Sequence, residues 1–554
     1  MFWLLPLVVW WWSSSSKVVR AAAPYEVFEV PSFETRAVPL PPGLVVDRYV
    51  DLHLSLIEGT IAPLSKYELP IALRLVSFVD QMIWNCAASY HDEWLDAVTR
   101  ERPLTAVPEV SLHSTDARIL CSAFAIRASY VDVLGLSLTE DVPVFLETFV
   151  PKLLNFSDVG FPADLKAFGG CSDDEGATAC ALDEYVASKG YAPAAVGAAV
   201  AYDLLRRFAS DDGWNAEGAL GTDGRACTAN CLPYQDTSDY EPSAGTCGRT
   251  PEGWCWEPLR EHDGRGFFLR HEHVVPHVGR RARTKVVDRD DYSLELPPYD
   301  YAFEEELALD RSRFLDDAKK AAIEFFNDKT RISESLLGAL IAKYGGGDEE
   351  KGGSFTHERL AWYSMVYTTA EYDAVIVAWK EKVRHSLVRP TSVIRDYDRN
   401  NSETVEAYAG PFRGVRAITK RDWQPYIRVM PHAEYPSGTG CICICIEQLA
   451  AKALDFLFGP GTVANDTDAA TLSVGVFVPQ GSSTVEPGAT PQNDILLFYP
   501  TLRDMRLACG ESRLDGGMHF THAVNDSYTL CDGIGPAVVD YAKLLVQNNT
   551  SSFP

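Results

Sequence analysis

Positive charge is in short supply: 50 Lys and Arg stand against 77 Asp and Glu, leaving a formal charge of −27 on 554 residues. A surface this acidic argues against nucleic acid and anionic membranes as partners, since both would be repelled before any specific contact formed. Long hydrophobic runs are lacking too. The apolar stretch Phe2 to Trp12 is too short to span a bilayer. No integral membrane association is therefore expected. Strand-like alternation is scarce, and no internal repeat stands out. Neither a Gly-x-Ser-x-Gly elbow nor a dinucleotide fingerprint occurs in a strand–turn–helix setting, and no pair of carboxylates has a spacing that points to glycoside hydrolysis. The glycine-rich Tyr344 to Ser354 lacks the preceding strand and following Lys-Ser/Thr of a phosphate loop and reads as a surface loop.

What is present is mostly helical. Apolar residues three and four apart recur over Tyr67 to Arg100, Ala117 to Leu134, Ala194 to Ala209, Arg313 to Phe326, Leu360 to Val388 and Pro536 to Val546. The expected class is mainly α, built of helical bundles. An apolar N-terminal run followed by Ala21-Ala22-Ala23 reads as a secretory signal over 1–23. The rest divides into a helical N-terminal half with an irregular Cys-containing connector, 24–298, and a helical C-terminal half, 299–554. Thirteen cysteines suit an oxidising destination and an extracellular protein. Cys171 and Cys180 bracket a loop, a natural local disulfide. Cys227, Cys231, Cys247 and Cys255 crowd a Gly/Thr/Pro-rich stretch, where disulfides are preferred to zinc. An odd total leaves at least one thiol without an intramolecular partner. Sequons at Asn155, Asn400, Asn465, Asn525, Asn548 and Asn549 permit glycosylation. His273 and His277 have a metal-like i, i+4 spacing, but Pro276 between them argues against a regular helix.

Three segments of the C-terminal half suit an anion. In "PHAEYPSGTGCICICIEQLA", Ser437 is a strong N-cap for a helix that is apolar nearly all round, and Gly438 lets a ligand approach the backbone. Free N–H groups, a hydroxyl and the positive helix end then meet at one point. Cys441, Cys443 and Cys445 spread around such a helix and read as small buried residues. In "WKEKVRHSLVRPTSV", Lys382 and Arg389 are two helical turns apart, on nearly one face, with Pro390 marking a helix end or kink. Lysine supplies a point charge and arginine a planar fork, a combination suited to an oxyanion. In "GESRLDGGMHFTHAVNDSY", Gly516-Gly517 breaks a helix so that Arg513 and His519 can converge, with His519 opening the next helix. Taken singly, each segment has an ordinary structural reading.

Lys-x6-Arg-Pro, then Pro-Ser-Gly, then Ser-Arg-x5-His, in that order over about Ala361 to Cys531, resembles the signature of the vanadium-dependent haloperoxidase and type 2 acid phosphatase superfamily. "DTSDYEP" (Asp236 to Pro242) and "WEPL" (Trp256 to Leu259) are also similar to secreted haloperoxidase-like proteins. The resemblance implies a vanadate site in which His519 coordinates vanadium, and Lys382, Arg389, Arg513, the Ser437 hydroxyl and the Gly438 N–H meet its oxygens. It implies hydrogen peroxide and halide as substrates and hypohalous acid as product. In the phosphatase version, His519 would instead carry a phosphoryl group. The family normally follows Pro-Ser-Gly with an acid–base histidine, where this chain has Thr439. A threonine hydroxyl cannot shuttle protons near neutrality. His432, where some family bromoperoxidases also carry histidine, is the expected replacement, and it favours bromide over chloride. His385 and His522 read as structural. The alternatives are a secreted acid phosphatase and a noncatalytic oxyanion-binding protein.

Overall fold

The structure, a computed structural model, describes residues 69–113, 115–127, 186–187, 191–204, 211–229, 232–249, 254–262, 268–270, 272–344, 356–396, 403–459 and 472–547. The expected signal over 1–23, Cys171, Cys180, Cys231, and the sequon residues Asn155, Asn400, Asn465, Asn548 and Asn549 lie outside the described residues; Asn525 is exposed.

The architecture is mainly α. In chain order the principal helices are α1 (Leu69–Ser89), α2 (Thr115–Arg127), α3 (Pro193–Leu204), the one-turn α4 (Val278–Arg281), α5 (Tyr301–Arg313), α6 (Asp317–Asn327) and α7 (Lys329–Tyr344). They continue with α8 (His357–His385), α9 (Pro390–Asp396), α10 (Gly438–Phe458), α11 (Leu502–Asp515), α12 (Thr521–Leu530) and α13 (Ile534–Leu545). Helix α8 is the axis. Its 29 residues span about 44 Å at 1.5 Å per residue, and nearly all are buried, as for a helix packed on every side. It packs against α1, α10 and α13, while α10 also meets α11, α12 and α13. One hydrophobic cluster runs from Leu73 to Val546 and so joins both sides of residue 298.

Three antiparallel hairpins are the main departure from a purely helical reading: β1 (Arg260–His262) with β2 (Phe268–Arg270), β3 (Thr404–Tyr408) with β4 (Val415–Thr419), and β5 (Val474–Val478) with β6 (Ile495–Tyr499). The helical pattern over Tyr67 to Arg100 stops at Ser89. Beyond it the Asp96 carboxylate accepts the Val98 and Thr99 amides, both at 2.8 Å, and this local turn outcompetes the helix. The stretch expected as one helix from Arg313 is split, because Asp316 caps α6 through the Lys319 amide.

Cysteines tie the bundle together. Cys86–Cys121 joins α1 to α2, and Cys247–Cys255 closes the connector, in line with the preference for disulfides there. The reading of Cys441 and Cys443 as merely small buried residues is corrected. Cys441 is bonded to Cys531 at the end of α12 and Cys443 to Cys509 in α11; Cys445 alone is a buried free thiol among the described residues. A helix spreads alternate residues over several faces, and here two of those faces meet partner cysteines. Close packing leaves no room for a side chain at Gly440 unless its neighbour moves: a Cβ there would lie 2.0 Å from the Ser527 hydroxyl on α12.

Polar groups are buried inside the bundle as well. The Asp373 carboxylate accepts the amides of Lys285, Val286 and Val287 at 2.7–3.1 Å and so anchors the connector to α8. Burial pushes Asp80 on α1 up to about 7 and Glu371 on α8 up to about 8.

Candidate functional site

The C-terminal end of α8 is built to stop. Ser386 adopts a left-handed conformation (φ 54°), and its amide closes the helix on the Lys382 carbonyl. The connector braces this end: the Trp256 amide donates to the Ser386 carbonyl at 2.7 Å, and Tyr240 meets the Ser386 hydroxyl at 2.8 Å. Lys382 therefore lies in the last turn of α8, whereas Arg389 lies past the break, directly before Pro390 opens α9. The expectation that one continuous helix aligns them is corrected; the two converge across a sharp turn.

Their target is the loop 431–436. The guanidinium of Arg389 donates to the His432 carbonyl at 2.9 Å, the Met518 carbonyl at 2.8 Å and the Ala433 carbonyl at 3.4 Å. It also reaches His432 Nδ1 at 2.9 Å and His519 Nε2 at 3.3 Å. Lys382 Nζ donates to the carbonyls of Ala433, Glu434 and Pro436 at 2.8, 3.0 and 2.5 Å. All three ammonium protons thus hold the loop, while the charge stays within the site. After a cis Tyr435–Pro436 bond, Ser437 caps α10 by accepting the Gly440 amide at 3.1 Å. The Gly438 and Thr439 amides are left at the open, positive end of α10. A Cβ on Gly438 would touch the Trp379 ring at 3.5 Å and lie 3.9 Å from Lys382 Cε, so this terminus abuts the ammonium.

The third segment turns as its glycines require. Helix α11 ends at Asp515, and Gly517 takes a φ of +71° that a side chain would strain. His519 precedes rather than opens α12, whose N-cap is Phe520. Arg513 in the last turn of α11 donates to the Ile323 carbonyl at 2.9 Å and to Asn327 Oδ1 at 3.3 Å.

Lys382, Arg389, Ser437, Gly438, Arg513, His519, His432 and Thr439 are all buried. Burial depresses Lys382 well below its ordinary value, Arg389 to about 10 and Arg513 to about 9; Arg389 adds to the effect on Lys382 and Arg513. Burial first, then the same cations, push His519 and His432 well below the usual imidazole range, so both rings are neutral. Among the described residues no carboxylate forms an ion pair with Lys382, Arg389 or Arg513. The carboxylate that acts on this cluster is Glu434, itself raised to about 7 by burial. Three cations in a dry site with so little compensating charge fit an anion.

Glu434 was not foreseen, although it lies inside the quoted "PHAEYPSG". Its Oε1 meets His519 Nδ1 at 3.1 Å and accepts the Phe520 amide at 2.8 Å, and Oε2 accepts from Tyr299 at 3.3 Å. A carboxylate and a guanidinium then fix the tautomer: Nδ1 carries the proton, and Nε2 presents a lone pair towards the cations. An imidazole lone pair among cationic donors is the set that an oxyanion with a metal-like centre requires. At His432 two groups compete for Nδ1, the Arg389 guanidinium at 2.9 Å and the Ala433 carbonyl at 3.2 Å; the shorter contact comes from an obligate donor and favours the proton on Nε2. Other histidines are elsewhere engaged: His385 with Thr246 and Glu381, His277 with the Trp214 carbonyl, His273 with the Ala433 amide, and the His522 ring against Tyr299. Among the described residues no three His, Cys, Asp or Glu side chains gather to hold a metal ion, and no helix is long and apolar enough to cross a membrane.

Residues 363–548 match the family described as the VCPO second helical-bundle domain. That stretch, about a third of the chain, holds Lys382, Arg389, the loop, the helix bearing Arg513, and His519. A bacterial vanadium-dependent chloroperoxidase in its holo form has a similar structure, with a TM-score of 0.71 and 20% identity, over 92% of this chain and 100% of that one. Its apo form gives 0.69 and 21%, over 88% and 96%. A bacterial vanadium-dependent iodoperoxidase gives 0.52 and 15%, over 91% and 98%. The fold is that of the vanadium haloperoxidases, and the resemblance drawn from the three sequence segments is borne out. No curated protein matches the sequence.

Proposed function

We propose that the chain is a vanadium-dependent haloperoxidase that oxidises halide, bromide in preference to chloride, with hydrogen peroxide. The observation that carries this reading is the His519 Nε2 lone pair, held by Glu434 and directed into a buried cluster of cations without paired carboxylates. His519 would coordinate vanadium, with Lys382, Arg389, Arg513, the Ser437 hydroxyl and the Gly438 N–H around the oxygens. Vanadate, when bound, supplies Lewis-acid activation of peroxide at constant oxidation state. The balance is simple: the O–O bond of hydrogen peroxide breaks, halide loses two electrons and becomes hypohalous acid, and water leaves with the help of one added proton.

That proton needs a donor, and Thr439 cannot be it. The charge of a bound oxyanion offsets the cations that depress His432, so the ring can take a second proton from solvent at Nδ1, against the Ala433 carbonyl at 3.2 Å, and donate from Nε2 as imidazolium. Arg389 and Lys382 together keep the loop that carries this ring rigid. Disulfides of this number suit an oxidising compartment, and we read the protein as extracellular.

The test is bromination of a phenolic dye by peroxide with added vanadate. Activity is expected to require vanadate and to be inhibited by phosphate. His432→Ala is expected to lower kcat by about 100-fold, in the usual range for loss of an acid–base group, and to alter its pH profile. An unchanged profile ends the role of His432. Hydrolysis of a phosphate monoester without bromination would replace the proposal with a phosphatase; vanadate binding with neither activity would leave an oxyanion-binding protein.

A further inference from the structure

We propose that Glu434 is a positioning residue that holds His519 in the tautomer and orientation needed to coordinate vanadium, separately from the electrostatic capture of the oxyanion. This rests on the vanadate reading of the site. Position 434 is well made for the task. Its backbone is fixed on both sides, the amide donating to the Leu387 carbonyl at 3.0 Å and the carbonyl accepting from Lys382 at 3.0 Å. Its side chain is fully buried, and one oxygen receives both the His519 ring and the Phe520 amide, so the ring and the backbone that bears it are set by a single atom. Tyr299 occupies the second oxygen at 3.3 Å and prevents the carboxylate from rotating freely.

An isolated charge argument would make Glu434 a mistake. A carboxylate beside Lys382 and Arg389 cancels part of the field that attracts an anion, so capture alone would be served by its absence. Retaining it makes sense if the benefit falls on the bond to the imidazole: a fixed Nδ1–H keeps the lone pair on Nε2, where Arg389 now meets it at 3.3 Å, and the adjacent negative charge raises its basicity. The two functions therefore respond with opposite signs to removal of Glu434.

Phosphate and vanadate separate them, since both are tetrahedral oxyanions but only vanadate gains from coordination. Both affinities are measured by titration calorimetry at pH 8 on wild type, Glu434→Gln and Glu434→Leu. The neutral glutamine keeps an acceptor for Nδ1 and the Phe520 amide; leucine keeps bulk alone. Vanadate affinity is expected to fall about 10–100-fold in Glu434→Leu, as for loss of an outer-shell partner, and less in Glu434→Gln. Phosphate affinity is expected to hold or rise in both. The 15N resonances of the His519 ring are expected to report protonated Nδ1 in wild type and in Glu434→Gln, and a mixture of tautomers in Glu434→Leu. A parallel fall in both affinities would reduce Glu434 to general support of the fold and overturn the proposal, as would unchanged vanadate affinity. A wild type that binds phosphate but not vanadate would refute the vanadate reading instead, and the ring resonances would still decide whether Glu434 sets the tautomer.

Discussion

The two disulfides of α10 offer the clearest perturbation. Cys441–Cys531 and Cys443–Cys509 close segments of 90 and 66 residues and tie the helix begun by Ser437-Gly438 to the helices that flank His519. Loss of loop-closure entropy in the unfolded chain makes each worth about 4–5 kcal/mol, and the cost is only weakly sensitive to loop length. Replacing Cys443 and Cys509 together by alanine should therefore shift the denaturant midpoint by the equivalent of about 4 kcal/mol. Cys443 and Cys509 are both buried, so the paired alanines also lose a little packing and the shift cannot be smaller for that reason. Vanadate affinity of the folded variant should fall several-fold, because α11, with Arg513 in its last turn, is freed to move against the Ser437 cap. Equilibrium unfolding in urea without reductant, followed by vanadate titration below the transition, measures both. A midpoint equal to that of wild type would refute the entropy argument, and intact affinity in a destabilised variant would show that the clamp serves the fold and not the site.

Two further outcomes follow from packing and burial. Gly440→Ala should destabilise the protein by about 1–3 kcal/mol through overpacking against the Ser527 hydroxyl, and Ser527→Ala in the same chain should recover much of it; additive losses in thermal unfolding would show that the two helices do not meet there. Asp80 and Glu371 have folded values, about 7 and about 8, above their unfolded ones, so the folded state binds more protons. Their contribution is complete below about pH 4 and is lost as pH rises through those values, with a slope up to about 1.4 kcal/mol per pH unit for each group. Chemical unfolding between pH 4.5 and 7 should show that decline, and Asp80→Asn with Glu371→Gln should flatten it; an unaltered slope would assign it to other groups.

The site was more legible in the sequence than the scaffold that holds it. Ser437 as a cap, Gly517 as a turn and the charged side chains were readable because each acts locally, through its own φ, hydroxyl or charge. Glu434 was not, since a single acid on a chain so rich in acids carries no periodic signal, and its meaning comes from a histidine 85 positions away. The alternating cysteines hid their bridges for the same reason: pairing is decided by which helices face α10, not by spacing along it. Helix ends erred wherever a side chain captured a backbone amide, as at Asp96 and Asp316. The hairpins escaped because strands of three or five residues carry too little alternation to stand out against helical periods.

Lys382 has a consequence of its own. An ammonium with every proton committed to backbone oxygens can greet an arriving ligand only by letting one of them go, so occupancy and the setting of residues 433–436 become linked equilibria. Linkage is reciprocal. Whatever biases that segment, from the aromatic wall of Trp379 to the bracing of α8 by Trp256, then also biases the grip on the anion, by at most the free energy that couples the two, although neither residue need ever touch it.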